Sequence, residues 1–317
     1  MLMQKPQEFN ISAFMQQQMC YLGQEKVFEQ ASACFKKLTG VEVNAKQIER
    51  VCHHYGQLLE DELQAAISKG GKDKKVVHKE CCYVMLDGGM LLTREEKWKE
   101  MKLARLFDRC ESVNISKDRG SIAKSLYLAH LGNHREFLKK VEHHVDVMGD
   151  VVFIADGAKW IWKWIEAMYP EATQILDFFH AKEHLCRWAE MVIRDEKEKQ
   201  KWIDEQSLLM LNNKLDTVME NIAQLKTHNT KVKHERKILM EYYLTHKNRM
   251  KYKTYRENNL MIGSGPIEAA HRHVIQQRMK LSGQRWTKKG AQQMANLRVL
   301  HKSNQWHKIE MLTKIAA

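Results

Sequence analysis

No run of about 20 consecutive apolar residues occurs in this 317-residue chain, so the sequence offers no candidate for a membrane-spanning helix. The N-terminus lacks the apolar h-region of a secretory signal, and the expectation is a soluble, cytoplasmic protein with no membrane partner. The seven cysteines show no CxxC spacing; their number is odd, and Cys81 and Cys82 are adjacent inside an apolar run. They are expected to be reduced, mostly buried thiols, which excludes a disulfide frame or a zinc ribbon. Internal repeats and low-complexity tracts are also missing. Residues 181–255 contain neither glycine nor proline.

Acidic residues are scarce in one place. From Lys226 onward there are 20 Lys and Arg but only five acids, Glu235, Glu241, Glu257, Glu268 and Glu310. The formal charge of the whole chain is +13, so this last part carries the entire surplus and the rest is slightly acidic. Such asymmetry points to a polyanionic partner, nucleic acid above all, against the plainer reading of a solvated helical surface.

Residues 1–68 have helical periodicity: Phe28, Ala31, Cys34, Phe35 and Leu38 recur on one face. Thr39-Gly40 breaks the pattern, and Asn44 is placed to cap a second helix carrying Ile48, Val51 and Tyr55. Two helices joined by a glycine-containing turn resemble a helix-turn-helix, with Lys46, Gln47 and Arg50 facing a DNA groove. A plain helical hairpin fits the same pattern. A linker is expected over 69–79. Cys81–Leu86 reads as a buried strand ending at Asp87-Gly88-Gly89, with Met90–Thr93 and Met101–Phe107 as further strands of a meander. A helix is expected near His134–His144. Val151–Ala155 is another buried strand ending at Asp156-Gly157. Trp160, Ile161, Trp164, Ile165 and Met168 form an amphipathic helix stopped by Pro170, and Ile175-Leu176 leads a short strand into Asp177-Phe178-Phe179-His180. The class is α/β, a mixed sheet with a long helical excursion over 181–258.

Asp87 and Asp156 are each expected at the C-terminal end of an apolar strand, where sites in α/β folds collect. Glu268 is a lone acid in the first turn of a helix entered through Gly263-Ser264-Gly265-Pro266. Behind it come Arg272, Arg278, Lys280, Arg285 and Lys288. Three oxygen donors with no cysteine suit two Mg²⁺ or Mn²⁺ ions, which can assist phosphodiester chemistry. Against this, Asp-Gly after a strand is ordinary turn chemistry.

These residues fall into an ordered set: Asp87-Gly88 with Thr93-Arg94 and Trp98-Lys99-Glu100; Asp156-Gly157-Ala158 with Trp160; Asp177-Phe178-Phe179-His180-Ala181 with His184-Leu185. Gly263-Ser264-Gly265 with Ile267-Glu268 comes next, then Arg278, Ser282-Gly283 and Arg285-Trp286. In that order they resemble the D-D-E transposases of bacterial insertion sequences, the ISKra-like group in particular, related to Mutator-like enzymes through a (C/D)xxH motif. The similarity spans about residues 17–300 and includes Leu38-Thr39-Gly40-Val41 and Ala45–Val51.

The resemblance implies a ribonuclease-H-like mixed sheet interrupted by an all-helical insertion and preceded by a small helix-turn-helix-like domain. The divisions are 1–70 (DNA-binding), 71–180 (first part of the catalytic core), 181–258 (insertion) and 259–317 (catalytic helix and basic tail). It implies transposition of a mobile element by metal-dependent strand cleavage and strand transfer. Asp87, Asp156 and Glu268 would bind two Mg²⁺ (or Mn²⁺), with Asp177 and His180 in support. Terminal-repeat and target double-stranded DNA would meet Lys46, Gln47, Arg50, Arg272, Arg278, Lys280, Arg285, Trp286 and Lys288. Pairing two DNA ends calls for a homodimer or larger assembly, associated with the nucleoid. The group commonly carries further N-terminal sequence, often a cysteine-rich metal-binding segment, which this chain does not show.

Two other readings remain. One is a catalytically silent, transposase-derived DNA-binding protein. The other is a zinc metallopeptidase, because His180-Ala181-Lys182-Glu183-His184 matches HxxEH; it leaves the two aspartates and the basic third unexplained. Trp160, Trp162 and Trp164 are expected in packing. Trp286, among basic residues, is a candidate to stack on an unpaired base. Gly263-Ser264-Gly265 lacks a P-loop lysine, so no nucleotide cofactor is expected.

Overall fold

The computed structural model describes residues 9–70, 81–116 and 119–316. The expected linker lies mostly at 71–80, outside the described residues. Helices α1 (Ala13–Glu25), α2 (Phe28–Thr39) and α3 (Ala45–Lys69) come first. Gly40, at φ 74°, turns the chain out of α2, and the Asn44 side chain accepts the Gln47 N–H at the start of α3. Strands β1 (Cys82–Thr93), β2 (Lys97–Asp108), β3 (Ser112–Ser116), β4 (Arg119–Ile122) and β5 (Leu126–Leu131) are next. Then come α4 (His134–Val145), β6 (Val151–Ala155), α5 (Lys159–Met168) and β7 (Thr173–Leu176). The remainder is helical: α6 (Phe178–Val192), α7 (Glu196–Leu211), α8 (Leu215–Gln224), α9 (Thr230–His246), α10 (Tyr252–Glu257) and α11 (Gly265–Ala270). A π-helical turn over His271–Gln276 leads into α12 (Gln277–Met279), and the chain ends with α13 (Lys288–Lys302) and α14 (His307–Ala316).

The main sheet is mixed, in the order β5-β2-β1-β6-β7, while β3 and β4 form a separate antiparallel pair. β2 and β5 are antiparallel, with Met101 opposite Leu131 and Leu106 opposite Leu126. β6 and β7 are parallel, with Val152 opposite Thr173 and Ala155 opposite Leu176. The fold is thus α/β as expected.

One strand departs from expectation. Asp87-Gly88-Gly89 reads as a turn between two strands, yet β1 runs through it without interruption, so Asp87 lies mid-strand and not at a strand end. Close packing explains the glycines. A Cβ on Gly88 would collide with the Glu100 carboxylate, and one on Gly89 would meet His271 Nδ1 at 3.0 Å. The chain turns instead after Thr93, whose hydroxyl accepts the Glu96 N–H and donates to the Lys97 carbonyl, with Lys97 at φ 56°.

The chain divides into two compact units. The first comprises residues 1–82, 86–150 and 267–317, and the second comprises 83–85 and 151–266; β1 thus lends Tyr83–Met85 to the second.

In the first unit the N-terminal helices pack with α13 rather than standing apart. Lys140 of α4 is buried and donates to Glu60 of α3 at 2.7 Å; Asn296 of α13 donates to the same carboxylate at 3.0 Å and to the Gly56 carbonyl at 2.9 Å. A buried lysine is tolerated because its charge is matched. The open edge of β5 is covered by α13: Gln292 accepts the Leu131 N–H and donates to the Ala129 carbonyl, while Ser303 accepts the Tyr127 N–H. Edge-strand groups that would otherwise lack partners are satisfied this way. Residue 286 extends the end of β1, since its N–H donates to the Leu92 carbonyl and its carbonyl accepts the Arg94 N–H.

In the second unit, Phe153, Ile154, Ile165 and Ile175 are fully buried between the two parallel strands and their crossover helix α5. Trp162 and Trp164 are buried there too, in line with the packing role expected of them. Arg249 lies 4.5 Å from the Trp162 ring, donates to Gln174 at 2.9 Å and pairs with Glu166. Residues 178–257 contain helices and no strand. Among the described residues no disulfide forms; Cys20, Cys52 and Cys82 are buried, and Cys110 is exposed.

Candidate functional site

Two aspartates meet at the C-terminal ends of the parallel strands in the second unit. The last register pair is Ala155–Leu176, so Asp156 and Asp177 come next at matching positions. The Asp177 N–H donates to the Ala155 carbonyl at 2.9 Å, which ties the two ends together. Asp156 accepts the Ala158 N–H at 2.9 Å and stays partly exposed, while its carbonyl takes the Trp162 indole N–H at 2.6 Å. Asp177 is buried (2 % exposed) and spent on structure: one oxygen caps α6 through the Phe179 N–H at 2.8 Å, and the other accepts the Ser264 hydroxyl. Ser264 belongs to the Gly-Ser-Gly run, and the neighbouring Ile262 carbonyl accepts the Phe178 N–H at 2.9 Å. The run before Glu268 is therefore fastened to the head of α6.

Around Asp156 stands an aromatic and imidazole cluster. His180 and His184 are one turn apart on α6, with ring centres 5.1 Å apart, and Tyr242 of α9 stacks on His184 at 4.4 Å. His246 is 4.9 Å from Tyr242. Burial lowers the His184 pKa, with His180 and Arg187 adding to the effect. Burial raises the Tyr242 pKa, and Asp156 and Asp177 push it the same way. The Tyr242 hydroxyl is buried with no hydrogen-bond partner among the described residues. Tyr242 lies so close to the strand end that a Cβ on Gly157 would strike its ring.

In the first unit, Asp87 accepts the Gly88 N–H at 2.7 Å, and its other oxygen lies 3.6 Å from Nε2 of His271. His271 is buried (4 % exposed), and that nitrogen makes no hydrogen bond within the described residues. Glu268 is exposed in the first turn of α11, three residues before His271, a spacing that puts both on one helix face. The π-helical turn begins at His271, and such turns are frequent at functional positions. Its carbonyls at His273 and Val274 accept hydrogen bonds from buried Arg298, which also donates to Gln24.

Among the described residues no three His, Cys, Asp or Glu side chains form a ready metal-holding group. The donors themselves suit hard divalent ions. Asp87, Asp156 and Glu268 are at least partly exposed, and Asp87 lies beside His271. Glu183, the base of the HxxEH reading, is differently placed. It pairs with Arg187 at 2.8 Å, which holds its pKa down, and so it is a poor proton acceptor.

The residues expected to meet DNA fall into two groups. Lys46, Arg50, Arg272, Lys280 and Arg285 are exposed, with Gln47 and Lys288 half-buried; Lys46 pairs with Glu49, and Lys288 with Glu96. Arg278 and Trp286 are buried, and the Trp286 indole N–H donates to the Met279 carbonyl at 2.9 Å. Sequence reasoning assigned no role to Tyr242, His271 or Arg298, whose places arise only from packing. The three-residue step from Glu268 to His271 was the available signal. No family model matches the chain, and a search of the curated proteins finds no match either.

Proposed function

We propose that the chain is a D-D-E transposase of an insertion sequence, cleaving and joining DNA strands at element ends. One observation carries this reading: Asp87 on β1 lies 3.6 Å from His271, which follows Glu268 of α11 by three residues. The strand order supports a ribonuclease-H-like core, because a β1-β2-β5 group continues through β1 into the parallel pair β6-β7. The helices over 178–257 then correspond to the insertion before the glutamate.

Asp87, Asp156 and Glu268 are the carboxylates assigned to two Mg²⁺ or Mn²⁺ ions. Bound there, the ions would activate an attacking oxygen and offset charge on the leaving oxygen. The protein's own part is positioning. Asp177 fixes the head of α6 and the Gly-Ser-Gly run, and His271, three residues after Glu268, packs against Gly89 of β1. The exposed cations Arg272, Lys280 and Arg285 attract the DNA backbone, so binding weakens steeply with salt. Two DNA ends require two or more copies of the chain.

The test is Mg²⁺-dependent nicking and strand transfer on DNA that carries the element's terminal repeats. Asp87→Asn, Asp156→Asn and Glu268→Gln should each abolish it and retain DNA binding. DNA binding without cleavage in the wild-type protein would favour a silent DNA-binding descendant. Bound zinc together with Glu183-dependent peptide cleavage would overturn the proposal.

A further inference from the structure

The strongest unmet demand in the first unit is the guanidinium of Arg278. It is 1 % exposed, and its Nε donates to the Gly23 carbonyl at 3.0 Å. Its terminal nitrogens, Nη1 and Nη2, have no hydrogen-bond partner, and no carboxylate pairs with it among the described residues. Two aromatic rings flank it, Phe28 at 4.9 Å and Trp286 at 5.2 Å. Rings stabilise the cation through their faces but accept little in the plane of the guanidinium, where its N–H bonds point. Burial lowers its pKa to about 10, so it remains a cation at neutral pH. A buried charge with unmet donors is unfavourable unless something accepts from them.

Arg278 forms part of the wall of a concavity of about 490 Å³. Its lining adds two exposed guanidinium groups, Arg94 from the β1–β2 turn and Arg285, with Ser282 and Gln284 between them along the chain. Buried Nε2 of His53, another atom without a hydrogen-bond partner, belongs to a further lining residue. Two acids, Glu29 and Glu49, also line it, and Glu49 is already paired with Lys46. Three arginines against two acids favour an anion of more than one charge over a single carboxylate. The paired terminal N–H groups of a guanidinium match two oxygens of one tetrahedral oxyanion. The volume exceeds that of a bare oxyanion and leaves room for a sugar attached to it.

We propose that this concavity is a phosphate-binding site, with Arg278 as its buried receptor and Arg94 and Arg285 as its rim. The site stands on the packing around Arg278 and not on the carboxylates assigned to metal. Only the identification of the phosphate as part of a nucleic-acid backbone rests on the function proposed above. Trp286 then serves by holding the guanidinium in place rather than by stacking on a base, since its ring is 6 % exposed and already faces Arg278.

The test uses the full chain with two probes, inorganic phosphate and a short DNA oligonucleotide, with affinities measured by calorimetry. Arg94→Ala and Arg285→Ala remove exposed rim groups and should leave the ligand-free thermal midpoint unchanged. Each should weaken binding by about 10-fold, the loss expected for a charge-assisted contact. Arg278→Lys keeps the charge and loses the fork, and should weaken binding at least as much. Lys314→Ala, which removes an exposed cation of α14 outside the concavity, should bind as wild type. Loss with both probes identifies a site that takes free phosphate; loss with the oligonucleotide alone identifies a backbone phosphate. Rim and Arg278 variants that bind both probes as tightly as wild type would overturn the proposal, as would a wild-type protein that binds neither. Retained phosphate binding in a protein that never cleaves DNA would count against the transposase reading and leave this site standing.

Discussion

Asp156 and Asp177 occupy matching positions at the ends of parallel strands β6 and β7, yet their side chains are engaged differently. Asp177 is buried, with its oxygens taken by the Phe179 N–H and the Ser264 hydroxyl. Asp156 is partly exposed and accepts one backbone N–H. Two carboxylates of one chemistry thus divide into a structural group and one available to a cation. The local backbone beyond each strand sets this division. A helix starts directly after Asp177, whereas Asp156 leads into a turn with Gly157.

Substitution should separate the two roles. Asp177→Ala removes a helix cap and leaves the Ser264 hydroxyl without its acceptor, a loss of about 2–4 kcal/mol in total. Asp156→Asn keeps the shape and should change stability by less than about 0.5 kcal/mol while removing metal-dependent cleavage. Urea unfolding of both variants, with a cleavage assay alongside, checks the assignment. Equal destabilisation by the two would refute it.

A second prediction concerns the approach of Tyr242 to the strand end. Gly157→Ala introduces a Cβ into the Tyr242 ring, and overpacking of this kind costs about 1–3 kcal/mol. Gly265→Ala meets nothing within 4 Å and should be neutral or slightly stabilising, because alanine restricts the unfolded chain. Thermal midpoints of the two variants should therefore move apart. A Gly157→Ala protein as stable as wild type would mean that Tyr242 does not pack there.

Much of this was legible in the residue pattern. Val151–Ala155 is a short apolar run bounded by Asp-Gly, and it forms β6 with those bounds. The periodic helices α2, α4 and α5 lie close to where their apolar spacing puts them. The Asp87 region misled because Asp-Gly-Gly carries local turn chemistry, whereas those glycines make room for Glu100 and His271. Strand β5 went unread, since Leu126–Leu131 is brief and its edge is completed by α13, about 160 residues later. The π-helical turn after Glu268 has no periodic signature; Arg298, from a separate helix, holds its carbonyls.

Two buried histidines contribute to the pH dependence of stability. His246 has its pKa lowered to about 4 by burial, then by Arg249 and His184; Tyr242 and Trp162 supply uncharged rings beside it. His130 is lowered to about 4 by burial, then by Lys140, with Lys102 acting the same way and Glu136 and Glu60 opposing. Both folded values lie below the ordinary histidine value of about 6.5, so the unfolded chain binds these protons more tightly. The stability they permit is complete above about pH 6.5 and is lost as pH falls towards 4, by on the order of 2–3 kcal/mol for each. Thermal midpoints recorded from pH 7.5 to 4.5 should fall, and His246→Gln and His130→Gln should each flatten the decline. An unchanged slope in both variants would assign the acid sensitivity elsewhere.

The last prediction concerns Arg298 of α13, which is buried and donates to the carbonyls of His273, Val274 and Gln24 and to the Gln24 side chain. Its charge is matched by Glu25 at 3.1 Å, a carboxylate that also meets Lys302 at 2.8 Å and is held below its ordinary pKa by these cations, against burial that acts the other way. One side chain thus completes the hydrogen bonding of the π-helical turn and joins it to the end of α1. Arg298→Met should destabilise the protein by about 3–5 kcal/mol, because Glu25 loses one of its charge partners and buried carbonyls lose their donor. Arg298→Lys retains charge but cannot span the three backbone carbonyls, so it should recover only part of the loss. Hydrogen exchange adds a local readout. In Arg298→Lys, amides of 271–279 should exchange faster than those of β6, because the turn loosens before the second unit opens. Uniform acceleration across both units would show that Arg298 supports global stability alone and does not set the turn behind Glu268.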